Sequence, residues 1–202
     1  MRELIFATHN EHKAIEIQSI LHQSYRVLTL DQAGFFEEIP EEQDTLEGNA
    51  LQKAHFVYAR LGKDCFADDT GLEVDALNGE PGVYSARYAE LSGDRMPEEE
   101  ITDANIRKLL KQLEGVANRR ARFRTVIALI IGGEEYFFEG TIEGSIISSG
   151  RGDSGFGYDP VFLPGGYRET FAEMQLHEKN KISHRARAVS LLADFLKNYS
   201  RE

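Results

Sequence analysis

Leu4-Ile5-Phe6-Ala7-Thr8-His9-Asn10-Glu11-His12-Lys13 is the stretch that decides the class of fold. Four consecutive apolar residues read as a buried strand, a polar run follows, and Ala14, Ile17, Ile20 and Leu21 then recur at helical spacing. A strand, a loop and a helix in that order open an α/β architecture. At such a loop the free backbone N–H groups and the helix dipole favour an anion. Thr8, Asn10 and Lys13 add hydroxyl, amide and ammonium donors suited to phosphate oxygens. The same residues are also explained by an Asn10 that caps the helix and a solvated Lys13. The G-x-x-x-x-G-K-[ST] spacing is absent, so the loop is not a P-loop.

Downstream, Tyr25 to Leu30 reads as a second strand. An acidic segment from Glu37 to Asp44 then precedes a helix bearing Leu46, Ala50, Leu51, Ala54, Val57 and Leu61. Asp44 or Thr45 would cap that helix and Gly62 would end it. Cys65-Phe66-Ala67 runs into Asp68-Asp69-Thr70-Gly71 and reads as a strand end, the usual place for an α/β site. Pro81-Gly82 marks a turn, and Ile106, Leu109, Leu110 and Leu113 make an amphipathic helix stopped by Gly115. Ala121 to Ile131 and Tyr136 to Phe138 form a hairpin around Gly132-Gly133, with Thr141 to Ile147 a further strand. Gly150 to Pro160 reads as an irregular loop, Val161 to Leu163 as strand, and Val189, Leu192, Phe195 and Leu196 as one side of a last helix starting near Ser183. These elements give one folding unit with a mixed sheet, the hairpin region forming one lobe.

The chain has 202 residues, of which 41% are hydrophobic, enough for one substantial core. Its 23 basic residues stand against 34 acidic ones, a formal charge of -11 that opposes attachment to a nucleic-acid polymer or an anionic membrane. A small phosphorylated substrate remains compatible, because a few cations gathered in one cleft create a local positive potential. Cys65 is the single cysteine, which excludes an intramolecular disulfide and suits a reducing compartment. The N-terminal apolar run is too short for a signal segment or a membrane span, so a cytoplasmic location is expected.

Asp68-Asp69-Thr70-Gly71 carries the sharper chemical signal. Two adjacent carboxylates after an apolar run are costly unless they bind a cation, accept hydrogen bonds or reach water. An Asx-turn closing the strand is the plainer reading. Glu41, with Glu38 and Glu42 beside it, offers a further oxygen ligand, and magnesium suits such a set because it bridges carboxylates to substrate phosphates. Zinc lacks its preferred cysteine pair or histidine cluster. Ser183-His184-Arg185 is no catalytic triad, since its members are neighbours and no G-x-S-x-G elbow exists. Recognition is the better use: Arg185 presents a planar fork of donors, and Phe156 or Tyr158 would stack on a base. These residues also read as an ordinary first helical turn and core aromatics. Lys53, Arg87 and Lys179 read individually as surface charges.

In one order, the chain carries T-x-N-x-x-K, a Glu-rich segment, A-D-D-T-G-L, P-G-V-Y-S-A-R-Y, F-G-Y-D-P and E-K-N-K-I-S-H-R. From Thr8 to Arg185 this series resembles the inosine triphosphate pyrophosphatase family. The resemblance implies an elongated two-lobed α/β fold with a long curved mixed sheet flanked by helices, and an active site in the cleft between lobes. It also implies one domain over 1–202 and a homodimer. The expected reaction hydrolyses the α–β bond of ITP, dITP or XTP to a monophosphate and pyrophosphate, with Mg2+ as cofactor. The loop Thr8, His9, Asn10, Glu11, His12 and Lys13 would hold the triphosphate, with Lys53, Thr70 and Arg87 adding contacts. Asp69 would act as general base and share the metal with Glu41. Phe156, Gly157, Tyr158 and Asp159 would shape the base pocket, completed by Lys179, His184 and Arg185. One departure is His9, which stands where the family commonly has glycine. Two rival readings are a septum-inhibitor type of nucleotide pyrophosphatase, opposed by the S-H-R and F-G-Y-D-P segments, and a non-hydrolysing nucleotide sensor, which has no need of Glu41, Asp68 and Asp69.

Overall fold

A computed structural model describes residues 2–21 and 25–199. The chain opens with β1 (Arg2–Phe6), α1 (Glu11–Leu21), β2 (Tyr25–Leu28), α2 (Leu46–Leu61) and β3 (Cys65–Val74). After β4 (Pro81–Gly82) and a 3-10 turn at Ser85–Arg87 come α3 (Tyr88–Leu91) and α4 (Ile101–Gln112). The long strands β5 (Arg120–Ile131) and β6 (Glu134–Ile146) follow, then β7 (Phe162–Pro164), α5 (Leu176–Ile182) and α6 (His184–Tyr199). The strand order is β2-β1-β3-β5-β6-β7, with β4 on β3. β1 is parallel to β2 and β3, whereas β3–β4 and β6–β7 are antiparallel, so the sheet is mixed and flanked by helices. No helix among the described residues is long and apolar enough to cross a membrane.

The chain divides into two compact units, Met1–Asp69 with Thr125–Thr141 and Ser183–Glu202, and Thr70–Arg124 with Ile142–Ile182. The first unit's core joins Leu4 and Phe6 of β1, Phe66 of β3, Ile17 of α1 and Leu192 of α6. Phe6 and Phe66 stack at 4.6 Å between ring centroids, an arrangement worth about 0.5–1.5 kcal/mol beyond area burial. The other face of these strands packs on α2, where Cys65 Sγ donates to the Ala54 carbonyl. The second unit's core gathers Leu72, Leu109, Leu113, Phe123, Phe162 and Phe171.

Caps set the helix limits. Thr45 accepts from Gly48 N at the start of α2, and Gly62 closes it in a left-handed conformation. Ser183 Oγ accepts from Ala186 N ahead of α6. The sequence reading is corrected at four places. β2 ends at Leu28 rather than Leu30. β3 does not end at Asp68 but continues to Val74, because cations on α1, α2 and α6 meet both carboxylates inside the sheet. The expected break between Phe138 and Thr141 is absent, and β6 is one strand. Gly140 lets it pass: a Cβ there would sit 2.1 Å from the His184 carbonyl and 2.5 Å from Ala188 N. The hairpin also does not form a lobe of its own, since Thr125–Thr141 belongs to the first unit and the flanking residues to the second.

Phe66→Ala should cost about 3–5 kcal/mol of unfolding free energy, since the cavity opens in a fully buried stack. Thr45→Ala should cost only about 1 kcal/mol, the loss of a cap. Urea denaturation of both variants beside the parent checks the ranking.

Candidate active site

Chain direction places the first group of residues. β1 delivers Ala7 to a tight turn in which Thr8 Oγ1 accepts from Asn10 N at 3.1 Å. Asn10 Oδ1 then accepts from Lys13 N at 3.1 Å, which makes Asn10 the cap of α1. His9, Asn10, Glu11 and His12 are exposed on this turn, and Thr8 is half-buried. His9 Nε2 donates to the Glu37 carbonyl at 3.0 Å and ties the turn to the acidic segment that carries Glu41. Lys13, one turn into the helix, reaches Asp68 Oδ1 at 3.0 Å.

Side chains alternate across a strand, so Asp68 and Asp69 leave β3 on opposite faces. Asp68 enters the α1 and α6 side, where Lys13 and Arg185 Nε, the latter at 3.3 Å, meet its two oxygens. Arg185 is 1% exposed and gives Nη1 to Glu16 of α1. Desolvation pushes the Asp68 carboxyl upward, but Lys13, Arg185 and Lys53 outweigh it and hold the group far below the usual carboxylate range. Asp69 enters the α2 side and accepts from Asn49 Nδ2 and Lys53 Nζ, each at 3.2 Å. Lys53 also donates to Glu41 Oε1 at 2.6 Å. At Asp69 desolvation prevails over the pull of Lys53 and Lys13, and the carboxyl lies above its ordinary value. Two neighbouring carboxylates are thereby separated in basicity, with Asp69 the better proton acceptor.

Together the first unit gathers the cations Lys13, Lys53 and Arg185 with the carboxylates Glu16, Glu41, Asp68 and Asp69. Three positive charges against four negative ones leave this set net negative, so a polyphosphate requires additional positive charge to settle here. Glu41 and Asp69 converge on the Lys53 ammonium, which marks a point where one cation is within reach of both. Their hard oxygen donors fit a magnesium ion, which takes one or two protein carboxylates and completes its shell with water and phosphate. No group of three or more His, Cys, Asp or Glu side chains able to hold a metal occurs among the described residues.

The second unit holds a separate group. Asp159 Oδ2 accepts from Lys179 Nζ at 2.7 Å and from Phe156 N at 2.9 Å, and both charged side chains are buried. Gly155, at a φ of +77°, makes this possible, because a Cβ there would stand 2.2 Å from Asp159 Oδ2. The Lys179 ammonium lies 5.1 Å from the centroid of the half-buried Phe156 ring. Tyr158 is buried and donates its hydroxyl to the Ser85 carbonyl at 3.0 Å. Half-buried Arg87 lies over the exposed Tyr84 ring at 5.7 Å. Half-buried Thr70 follows Asp69 on β3.

The structure therefore brings Thr8 to Lys13, Glu41, Lys53, Asp69, His184 and Arg185 into the first unit. It places Thr70, Arg87, Phe156 to Asp159 and Lys179 in the second. Lys53 and Lys179 are corrected from surface charges to buried ion pairs. Arg185 is corrected from an open fork to a guanidinium enclosed between two carboxylates, which burial without them would make prohibitive. His184, 3% exposed, is buried at the start of α6. Sequence reasoning missed Glu16 and Asn49. The available signal was their place on the apolar stripes of α1 and α2, beside Ile17 and beside Ala50 and Lys53.

The Ham1 family model matches residues 4–195. A dITP/XTP pyrophosphatase of Porphyromonas gingivalis is 56% identical over 197 residues, which cover 97% of this chain and 98% of that protein. The solved Ham1 protein of Staphylococcus aureus superposes with a TM-score of 0.84 at 37% identity, over 98% of this chain and all of that one. The Coxiella burnetii HAM1 protein gives 0.86 at 34% identity, over 98% and 100%.

Arg185→Met should destabilise the protein by about 3–5 kcal/mol, because Glu16 is left buried without its guanidinium and Asp68 keeps only part of its compensation. Adding Glu16→Gln should recover part of that loss. Chemical denaturation of the single and double variants measures both steps.

Proposed function

The chain belongs to the Ham1 family, and on that premise we propose that it hydrolyses nonstandard purine nucleoside triphosphates, among them dITP and XTP, at the α–β bond. The products are the nucleoside monophosphate and pyrophosphate. The observation that carries this reading is the different placing of adjacent carboxylates: Asp68 is enclosed between Lys13 and Arg185, while Asp69 shares the Lys53 ammonium with Glu41. A nucleotide sensor has no use for that separation, and the names of the relatives do not support the septum-inhibitor reading.

The triphosphate binds at the head of α1, where Thr8, Asn10 and the first amides of the helix offer donors and Lys13 and Lys53 offer charge. Glu41 and Asp69 would hold Mg2+, which would supply positive charge to offset that of the phosphates during hydrolysis. Asp69 orients a water for in-line attack on the α-phosphorus and accepts its proton. The Lys13 and Lys53 ammonium groups stabilise the charge that grows on the departing pyrophosphate, and no covalent enzyme intermediate forms. Asp159 and Lys179 fix the loop on which Phe156 presents its ring to a base. The two units act as one enzyme domain over 1–202, as a homodimer in the cytoplasm.

Asp69→Asn should lower kcat by about a hundredfold or more while leaving the fold intact, within the range for a general base. Steady-state kinetics on dITP beside a thermal melt tests this, and near-normal turnover would remove Asp69 from the role. Pyrophosphate should be the first product, and its appearance should stop on chelation of divalent cations and resume with added Mg2+. Ion chromatography of the products reads this, and initial release of orthophosphate would exclude cleavage at the α–β bond.

A further inference from the structure

Glu41 sits in a stretch ahead of α2 that is neither helix nor strand, and Glu41, Glu42 and Gln43 are all exposed. Side chains of α2 hold this stretch by its backbone. Gln52 Oε1 accepts from Glu42 N at 3.0 Å, and Asn49 Oδ1 accepts from Gln43 N at 2.9 Å. Gly48 lets the chain come this close to the helix, because a Cβ there would stand 2.8 Å from Gln43 Cβ.

Asn49 differs from Gln52 in what its other end does. It is 1% exposed, and its Nδ2 donates to Asp69 Oδ2 at 3.2 Å. Lys53, one turn further along the same face of α2, takes the other oxygen of Asp69, also at 3.2 Å. The contacts close into a ring: Asp69 meets Asn49, Asn49 meets Gln43, the chain leads back to Glu41, and Lys53 joins Glu41 to Asp69. An amide that only steadied the start of α2 would need the Gln43 bond alone, whereas the Asp69 bond reaches a strand 20 residues away.

The two links in this ring are unequal. The Lys53 ammonium stands at the point on which both carboxylates converge, so a cation held by the same pair would repel it. Asn49 carries no charge and keeps both of its bonds.

We propose that Asn49 is a positioning residue, which holds Glu41 and Asp69 at the spacing that lets both grip one divalent cation. The inference rests on the reading of Glu41 and Asp69 as the Mg2+ ligands, and every residue it uses belongs to the first unit. Asn49 acts through the two carboxylates alone.

Mn2+, which suits the same carboxylate donors, provides the test when titrated into the nucleotide-free protein and followed by electron paramagnetic resonance of the free ion. Asn49→Ala should weaken Mn2+ binding about tenfold or more, the usual penalty for removing a hydrogen-bond partner of a metal-bound carboxylate. Asn49→Leu has the same heavy-atom branching without the polar atoms. It should show the same weakening and leave no cavity, which covers the case in which the alanine variant does not fold; a thermal melt establishes folding for both. With dITP as substrate, both variants should need correspondingly more Mg2+ for half-maximal turnover and should regain most of their kcat at saturating Mg2+. A merely structural defect would not be rescued in this way. Folded Asn49 variants with the parental Mn2+ affinity, or a loss of turnover that added Mg2+ does not relieve, would overturn the proposal and leave Asn49 a core amide. An Asp69→Asn protein that binds Mn2+ as the parent does would instead overturn the reading of Glu41 and Asp69 as the cation ligands.

Discussion

The Asp68 carboxylate, 1% exposed in the middle of β3, is the charge around which the first unit is arranged. A carboxylate at that depth is tolerated only if cations come to it, and Lys13 from α1 and Arg185 from α6 do so from sites 55 and 117 residues away in the chain. Arg185 in turn brings in Glu16, so α1 and α6 are joined by an alternating row of charges as well as by the apolar contacts of Ile17, Val189 and Leu192. Because Lys13 N also closes the Asn10 cap behind the Thr8 turn, the row that holds the helices reaches the head of α1. Burial lowers the Lys13 ammonium below its ordinary value in spite of Asp68, so this cation is the weaker end of the row.

The adjoining carboxylate has the opposite environment although it is one residue away. Alternation across the strand gives Asp69 to α2, where the helix offers one ammonium shared with Glu41 and one amide. Lys53 is held above its ordinary value: desolvation opposes the charge, but Asp69, Glu41 and Asp68 together prevail. Shared in this way, it neutralises Asp69 incompletely, and the carboxyl stays above its ordinary value. Two consecutive residues with the same side chain thus acquire different partners and different basicity through pleating alone.

Much of this was legible in the chain. The strand-loop-helix opening follows from local periodicity, and Asn10, Thr45, Gly62 and Ser183 mark helix limits by local capping chemistry. Rules of that reach failed where distant residues decide the outcome. Asp68-Asp69 reads as the end of a strand because the cations that compensate the charges in the fold, Lys53, Lys13 and Arg185, pair with them from 16, 55 and 117 residues away in the chain. Lys179 reads as a surface charge until Asp159, 20 residues before it, is placed at its ammonium. Glu139-Gly140 reads as a break in β6 because the reason for the glycine lies in α6, whose backbone passes over it. The ordered motifs from Thr8 to Arg185 supplied the family where periodicity supplied only an α/β class.

Cys65 lies one residue before the strand's stacked Phe66 and three before Asp68, with its thiol donated to the Ala54 carbonyl on the α2 face. Burial, with some help from Asp64, pushes that thiol up to about 12. Peroxides, electrophiles and mixed disulfides all react through the thiolate, which is vanishingly scarce at neutral pH for such a group. The chain's one cysteine thereby keeps little nucleophilic character at neutral pH.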